Sequence, residues 1–448
     1  MKGSPWRYLW IAEDIRRKLL ITIGILVIYR FAAQIPVPGV DTDVMAQLLQ
    51  STKPGAGFLN LLNFLSGGAL ARFSVLSMGV YPYITAQIIL QILVPIVPSW
   101  QRRMEEDPRE GRKWMERWSY ILAVPVAALQ ALGQIRLVSY FGGVPVIPNF
   151  GFSGDKILPS IAIILAMTAG TMFAIWLGEL ISEYGIKGQG ISLIIFAGIT
   201  ARLPYNFATL WQDPQNRWFY TAVSLIVLVF TVFLIVFVQQ GKRLVPVMYP
   251  GRRIGRRMSM PVKGTLPLPV NMAGMIPLIF AQSLLALPGM FAGLFLNSSN
   301  DTLRSIAGAI QRFFDPNYGT YWWSYFIFVV LFTFFYTEVL FMQQSYGEQL
   351  RRQGARIPGV PPGEPTQEYL TRVLRRVTLP GALFLGFVAI LPYLLTLLVP
   401  SAARGGYSSL LLISSSGLII VVGVVRDLLY NIEAELKMHG YEERLLIR

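Results

Sequence analysis

The sequence predicts an all-α, polytopic membrane protein with about ten transmembrane helices. Three observations carry that expectation. Of 448 residues, 54% are hydrophobic and only 14% charged, more apolar surface than a soluble domain can hide. The apolar runs approach the ~20 residues that cross a bilayer core, and they are continuous, whereas a transmembrane barrel would show short alternating strands. Lys and Arg gather in alternate loops.

Taken in order, hydropathy marks spans at roughly 19–36, 73–97, 118–138, 157–182, 190–210, 218–239, 271–296, 322–343, 378–399 and 409–430. The opening stretch "MKGSPWRYLWIAEDIRRKLL" has no small-residue cleavage site after its first apolar run. That run is therefore expected as a retained helix, not a signal peptide. An extra piece, Phe58 to Leu70, is apolar but would reach only roughly 20 Å as a helix, short of the ~30 Å bilayer core. Ser66-Gly67-Gly68 cuts the apolar stretch there, and Arg72 sits just beyond the cut. Such a break suits either close helix packing or a broken helix that exposes backbone groups to a solute.

One set of loops holds the N-terminus, "QRRMEEDPREGRKWMER", "GKRLVPVMYPGRRIGRRMSMPVKG", "EQLRRQGARIPGVPPGEPTQEYLTRVLRR" and the C-terminal tail. Of the 39 Lys and Arg, 29 lie on that side or at helix ends facing it. The positive-inside rule then puts both termini in the cytoplasm, which an even number of spans allows. Ten spans divide as five and five. An odd number per half inserts the halves in opposite orientations, the layout of an inverted repeat. The expected units are 1–211, 212–430 with cytoplasmic loops at about 240–270 and 344–377, and a cytoplasmic tail at 431–448. No self-similarity between the halves is legible in the sequence. In the first long loop, "LVPVMYPGRRIGRRMSMPV" has β-prone flanks around a Pro-Gly turn and predicts a hairpin. In the second, Thr366 is the expected helix N-cap, with Glu368 in the first turn. That helix brings Arg372, Arg375 and Arg376 close to one face.

The net charge of +15 would suggest nucleic acid in a soluble protein, but topology-setting loops account for it here. With no cysteine, disulfide and thiol chemistry are excluded. The one histidine is His439, in the tail. No metal-ligand cluster, phosphate-binding glycine loop or nucleophile with its base is visible. A catalytic centre, a metal and a cofactor are therefore not expected, and a lipid-modifying enzyme is disfavoured. An ion-coupled secondary solute transporter with inverted repeats is the more serious alternative. It would need ionisable residues near the midplane. The acidic residues in or near spans are Glu179, Glu338 and Asp427, each towards the cytoplasmic end of its helix. They read as capping or pairing groups, Asp427 with the adjacent Arg426.

Longer motifs narrow the reading. The segments "IPVPGVD", "FLSGGALARFSVLSMGVYPYITAQIILQIL", "REGRKWMERWSY", "WLGELISEYGIKGQGISLIIFAGI", "PVNMAGMIPLIFAQSLLALP", "RIPGVPPGEPTQEYLTRVLRRVTLPGALFLGFVAILP" and "LIIVVGVVRDLLYNIEAELKMHGYE" resemble the SecY family of the bacterial Sec translocon, in the family's order and over nearly the whole chain. The resemblance implies a channel in the cytoplasmic membrane that moves unfolded secretory polypeptides across and releases hydrophobic segments into lipid. It implies two inverted five-helix halves closing like a clamshell, with Phe58 to Leu70 as a re-entrant plug (Leu61, Leu62, Phe64, Leu65, Ser66, Gly67 and Gly68) and a pore-lining helix restarting near Phe73. An aliphatic pore ring follows by motif as Val80, Ile84, Ile195, Ile279 and Ile420, with Val80 where family members usually carry isoleucine. The lateral gate falls between the second and seventh spans at Thr85 and Leu287, with Gln91, Gln282 and Ser283 nearby. The implied partners are the SecE and SecG subunits, the SecA motor ATPase, the ribosome, secretory preproteins and nascent membrane proteins, and membrane lipid. Arg252, Arg253, Arg256, Arg257, Arg352 and Arg356 are the implied cytoplasmic docking residues. Two positions depart from the family pattern: Pro361 replaces an arginine associated with the motor, and Pro269 replaces a lysine.

Overall fold

The computed structural model describes residues 13–42, 66–142, 154–188, 190–201, 217–250, 262–296, 300–344, 346–398 and 415–438, with short pieces and single residues between them. The helices in chain order are α1 Glu13–Ala32, α2 Tyr81–Leu93, α3 Pro98–Glu106, α4 Pro108–Gly142, α5 Ile157–Tyr184, α6 Gly190–Thr200, α7 Arg217–Gln240, α8 Ile276–Phe295, α9 Asp301–Phe313, α10 Gly319–Gln344, α11 Tyr346–Arg352, α12 Glu364–Leu398 and α13 Ser415–Met438. Each of the ten expected spans falls on one of them. Among the described residues, five helices (in α4, α5, α8, α10 and α12) are long and apolar enough to cross a membrane, and α2 with α3 forms a pair bent by 100°. Pro98 opens α3 after that bend.

Several expectations need correction. The helix after the break starts at Tyr81, not near Phe73. Phe73 takes a left-handed φ of 46° and Gly79 one of 55°, so the intervening residues run as turns. The hairpin forms, but its turn is not at Pro250-Gly251. Strand β1 (Lys242–Tyr249) pairs antiparallel with β4 (Val262–Pro269), and a second short ladder, β2 (Arg253–Ile254) with β3 (Arg257–Met258), lies beyond Pro250. Thr366 is not the N-cap: α12 starts two residues earlier, and the Gly363 carbonyl accepts from the Thr366 and Gln367 amides. The Thr366 hydroxyl instead donates to the Pro361 carbonyl at 2.7 Å. The basic helix expected in the second long loop and the ninth expected span are one 35-residue helix, α12. Helix α9 was not anticipated. Asn300 caps it by accepting from the Thr302 amide.

The core has three parts. A central apolar cluster joins α1, α2, α5, α6, α8, α10, α12 and α13. A second surrounds Leu59, Leu62, Leu70 and Phe73 with side chains of α4, α5, α8 and α9. A third ties Val245, Val247 and Leu268 of the hairpin to Leu350 of α11, to Ala355 and Ile357 beyond it, and to Leu370 and Leu374 of α12. Glycine sets the tightest approaches. A Cβ on Gly190 would stand 1.7 Å from the Gly178 carbonyl oxygen, so α5 and α6 touch backbone to backbone. This is the small-residue packing that membrane helices use in place of a hydrophobic driving force. Gly190→Val should force these helices apart and lower unfolding stability by about 1–3 kcal/mol. Thermal unfolding in detergent would show it, and an unchanged midpoint would mean the contact is not tight.

Candidate functional site

Helices α2 and α8 begin alike. Each follows a glycine in the left-handed region, Gly79 at φ 55° and Gly274 at φ 66°. Each has a hydrophobic N-cap, Val80 or Met275, and a proline in its first turn, Pro82 or Pro277. Proline there withdraws an amide that has no helical partner anyway. The shared Gly-x-x-Pro start places Ile84 and Ile279 at matching positions. Four residues are too few to register as sequence repetition, and the signal emerges once the two helix starts are compared.

The five aliphatic residues expected at the pore come from four helices and meet in the central apolar cluster. Val80, Ile84 and Ile420 are buried within it, and Ile195 and Ile279 are partly buried against it. A constriction of this chemistry would be dry, resisting ions while yielding to a passing chain.

The seam between α2 and α8 is polar where the ring is not. The Tyr81 hydroxyl donates to the Ser283 carbonyl across it. Thr85 donates to the Tyr81 carbonyl at 3.1 Å and accepts from Gln130 Nε2 of α4 at 3.3 Å. Thr85 therefore bonds within α2 and towards α4. Gln91 Oε1, Gln282 Oε1, Ser283 Oγ and Gln130 Oε1 are buried without a protein partner among the described residues. Leu287 is partly buried and is followed by Pro288, which removes one rung of the α8 ladder. By contrast α8 is pressed onto α4: a Cβ on Gly133 would lie 2.8 Å from the Met290 carbonyl oxygen. Tyr81 and Gln130 were missed from sequence. Their signal was a hydroxyl and an amide in apolar runs, each obliged to find a partner.

Of the expected plug residues, Leu62, Ser66, Gly67 and Gly68 are described; Leu61, Phe64 and Leu65 lie outside the described residues. Leu59 and Leu62 are buried. Ser66 Oγ accepts from the Leu70 amide at 3.2 Å, and Asn63 Oδ1 accepts from the Ala71 amide at 3.0 Å. Gly67 and Gly68 have φ of 65° and 94°, conformations that glycine adopts at no steric cost. A 3-10 turn, Ala69–Arg72, follows. The chain then pairs with the "IPVPG" segment: Val37 donates to the Phe73 carbonyl at 3.0 Å and Val75 to the Ile35 carbonyl at 3.1 Å.

Of the expected docking residues, Arg252 and Arg256 lie outside the described residues, and Arg253 and Arg257 sit in β2 and β3. Arg352 is exposed and lies 3.5 Å from Glu348. Arg356 is exposed, and its backbone pairs with Met248 of β1, fixing the loop after α11 to the hairpin. The three acidic residues near spans are paired. Glu179 accepts from the Tyr120 hydroxyl, Glu338 from Arg375, and Asp427 from Arg426.

Comparison with known proteins bears on this site. Residues 74–429 match the SecY family model. The chain is 36% identical over 435 residues to the protein translocase subunit SecY of Mycobacterium bovis, covering 96% of each chain. It shares its fold with a solved SecY structure whose subject is the plug domain and the closed state of the translocation channel (TM-score 0.61, 18% identity, 94% of this chain and 92% of that chain). It also shares it with Sec61 in a canine ribosome-channel complex from the endoplasmic reticulum (TM-score 0.58, 16% identity, 94% and 92%).

Tyr81→Phe removes the hydroxyl that crosses the seam and should weaken the α2–α8 contact by about 1 kcal/mol. In the cysteine-free background, a cysteine at Leu287 should then react faster with a lipid-soluble maleimide. An unchanged rate would show that this bond does not hold the seam.

Proposed function

The chain belongs to the SecY family, and we infer that it is a protein-conducting channel subunit, not an enzyme. We propose that it carries unfolded secretory polypeptides across the bacterial cytoplasmic membrane and releases hydrophobic segments sideways into lipid. The observation that carries this reading is the turn at Gly67-Gly68, with Leu59 and Leu62 buried ahead of it and Gly67 set against Gly198 of α6, the helix that carries Ile195. The aliphatic residues Val80, Ile84, Ile195, Ile279 and Ile420 serve as the pore ring, and the segment 58–70 serves as its plug. A helix too short to span can persist in a cavity lined by protein, where its polar ends do not meet lipid.

In this reading the halves 1–211 and 212–430 are an inverted pair hinged as a clamshell, with both termini cytoplasmic. The matching starts of α2 and α8 support the pairing. The seam between those helices is the lateral gate. Its few hydrogen bonds, each worth about 1 kcal/mol, suit an interface that an apolar signal segment can part. That segment then partitions into lipid by its own hydrophobicity. Glu179, Glu338 and Asp427 each have a hydrogen-bond partner in the protein, which disfavours an ion-coupled transporter. The chain hydrolyses nothing; energy comes from a bound ATPase, from translation or from the proton-motive force.

SecE bracing the halves, SecG, the SecA motor and the ribosome are the proposed partners. The basic hairpin and the loop paired to it through the Arg356 backbone form one cytoplasmic surface suited to polyanionic ribosomal RNA. Pro361 and Pro269 stand where the family carries basic residues, so the motor contact here depends on Arg352 and Arg356.

Two experiments test these assignments. Leu62→Cys, buried in the resting chain, should label slowly with an external membrane-impermeant thiol reagent in proteoliposomes holding SecE and SecA. Labelling should rise only with preprotein and ATP, as the preprotein becomes protease-protected. Labelling that followed a sodium or proton gradient, with nothing protected, would favour a transporter. Neutralising Arg252, Arg253, Arg256 and Arg257 together should weaken ribosome binding and flatten its salt dependence. Unchanged binding would remove the hairpin from that interface.

A further inference from the structure

Arg30 lies in the last turn of α1 and is partly buried. Its Nη1 donates to the Gly67 carbonyl at 3.0 Å, across 37 residues of chain. Topology does not call for a cation here, because with the N-terminus in the cytoplasm this end of α1 faces outward. An arginine held against membrane helices is costly unless its donors are used. None of the ion pairs among the described residues involves Arg30.

The same glycine touches a third element. A Cβ on Gly67 would stand 2.4 Å from the Gly198 Cα of α6, and one on Gly198 would stand 2.8 Å from the Gly67 Cα. Neither position tolerates a side chain without displacing the other. Helices α1 and α6 thus grip one residue at the turn of the half-helix, one by a charge-assisted hydrogen bond and the other by backbone contact. Ser66 and Asn63 stiffen that turn from within.

We propose that Arg30 and the Gly67–Gly198 contact form a latch that holds the half-helix in its seat, with Arg30 as a positioning residue. The proposal rests on reading that half-helix as the plug. The latch holds carbonyl and backbone, so it works whatever side chains the rest of the half-helix carries. Releasing it requires α1 and α6 to move relative to each other, which links unseating to a widening of the N-terminal half.

The test measures iodide leak from proteoliposomes holding the full chain and its partner subunits, without preprotein. Arg30→Ala should raise the leak about tenfold, the population shift that loss of a charge-assisted hydrogen bond brings. Gly198→Leu, which fills the seat, should raise it further, and deletion of 58–70 should set the upper limit. ATP-driven preprotein translocation should persist in each, which shows that they fold. If the deletion leaks while Arg30→Ala and Gly198→Leu stay at the wild-type level, the latch is wrong and the plug stands. If the deletion does not leak, the plug reading fails and the latch fails with it. Should Arg30→Ala not support translocation, Arg30→Met, which keeps the apolar length and removes the donors, decides: raised leak supports the latch, and wild-type leak overturns it.

Discussion

Inside a bilayer, a backbone N–H or C=O that leaves a helix must find its partner within the protein. This constraint shapes the molecule around residues 66–80. There the chain leaves α-helical geometry, and freed groups are taken up by side chains and by neighbouring backbone. Asn63 and Ser66 cap the turn, Phe73 and Val75 pair with the "IPVPG" segment, and the 3-10 turn Ala69–Arg72 fills the space between. Phe73, fully buried in a left-handed conformation, anchors the return. Because the break is satisfied, helix α2 can begin part-way through the protein, and the central cluster can be lined by helix starts instead of continuous rods.

The strength of helix contacts is unevenly distributed. Where α5 meets α6, and α4 meets α8, glycines bring backbones together and little can slide. Where α2 meets α8, the contact is a tyrosine hydroxyl among amides and hydroxyls that lack protein partners. Each such atom costs about 1–3 kcal/mol when buried and unpaired. A seam of this kind is the place where a channel of the proposed function opens most cheaply. Pro288 adds to this by leaving the α8 ladder one rung short beside Leu287.

Charge follows a similar division. Glu179 is tied to Tyr120 and Glu338 to Arg375, each joining two helices, and Asp427 is paired with the adjacent Arg426. The hairpin and the loop after α11 share an apolar base, Val245, Val247, Leu350 and Ile357. That base converts two sequence-distant basic loops into one surface. Arg356 belongs to it through its backbone, leaving its side chain free to face outward.

Much of this was legible in the sequence. Hydropathy marked ten segments and a helix lies at each, five of them long and apolar enough to cross a membrane among the described residues, because length and apolarity are properties of a linear run. Family motifs singled out Val80, Ile84, Ile195, Ile279 and Ile420 as a ring; the structure places all five in or against the large central apolar cluster, which they share with many other side chains. The break at Gly67-Gly68 was visible because glycine is the residue that tolerates positive φ. Helix starts were misjudged at Phe73 and Thr366, where left-handed backbone and the Gly363 carbonyl decide the boundary. The hairpin turn was misplaced because ladder pairing continues past Pro250. Tyr81, Gln130, Arg30 and Gly198 could not be singled out from the chain alone. Their importance lies in what stands opposite: a carbonyl 202 residues away, a threonine 45 away, a glycine carbonyl 37 away and a glycine backbone. Local sequence determines which segments enter the membrane and where they can bend. Only the packed tertiary structure decides which polar group meets which, because hydrogen bonds and backbone contacts form between surfaces that the linear order keeps apart.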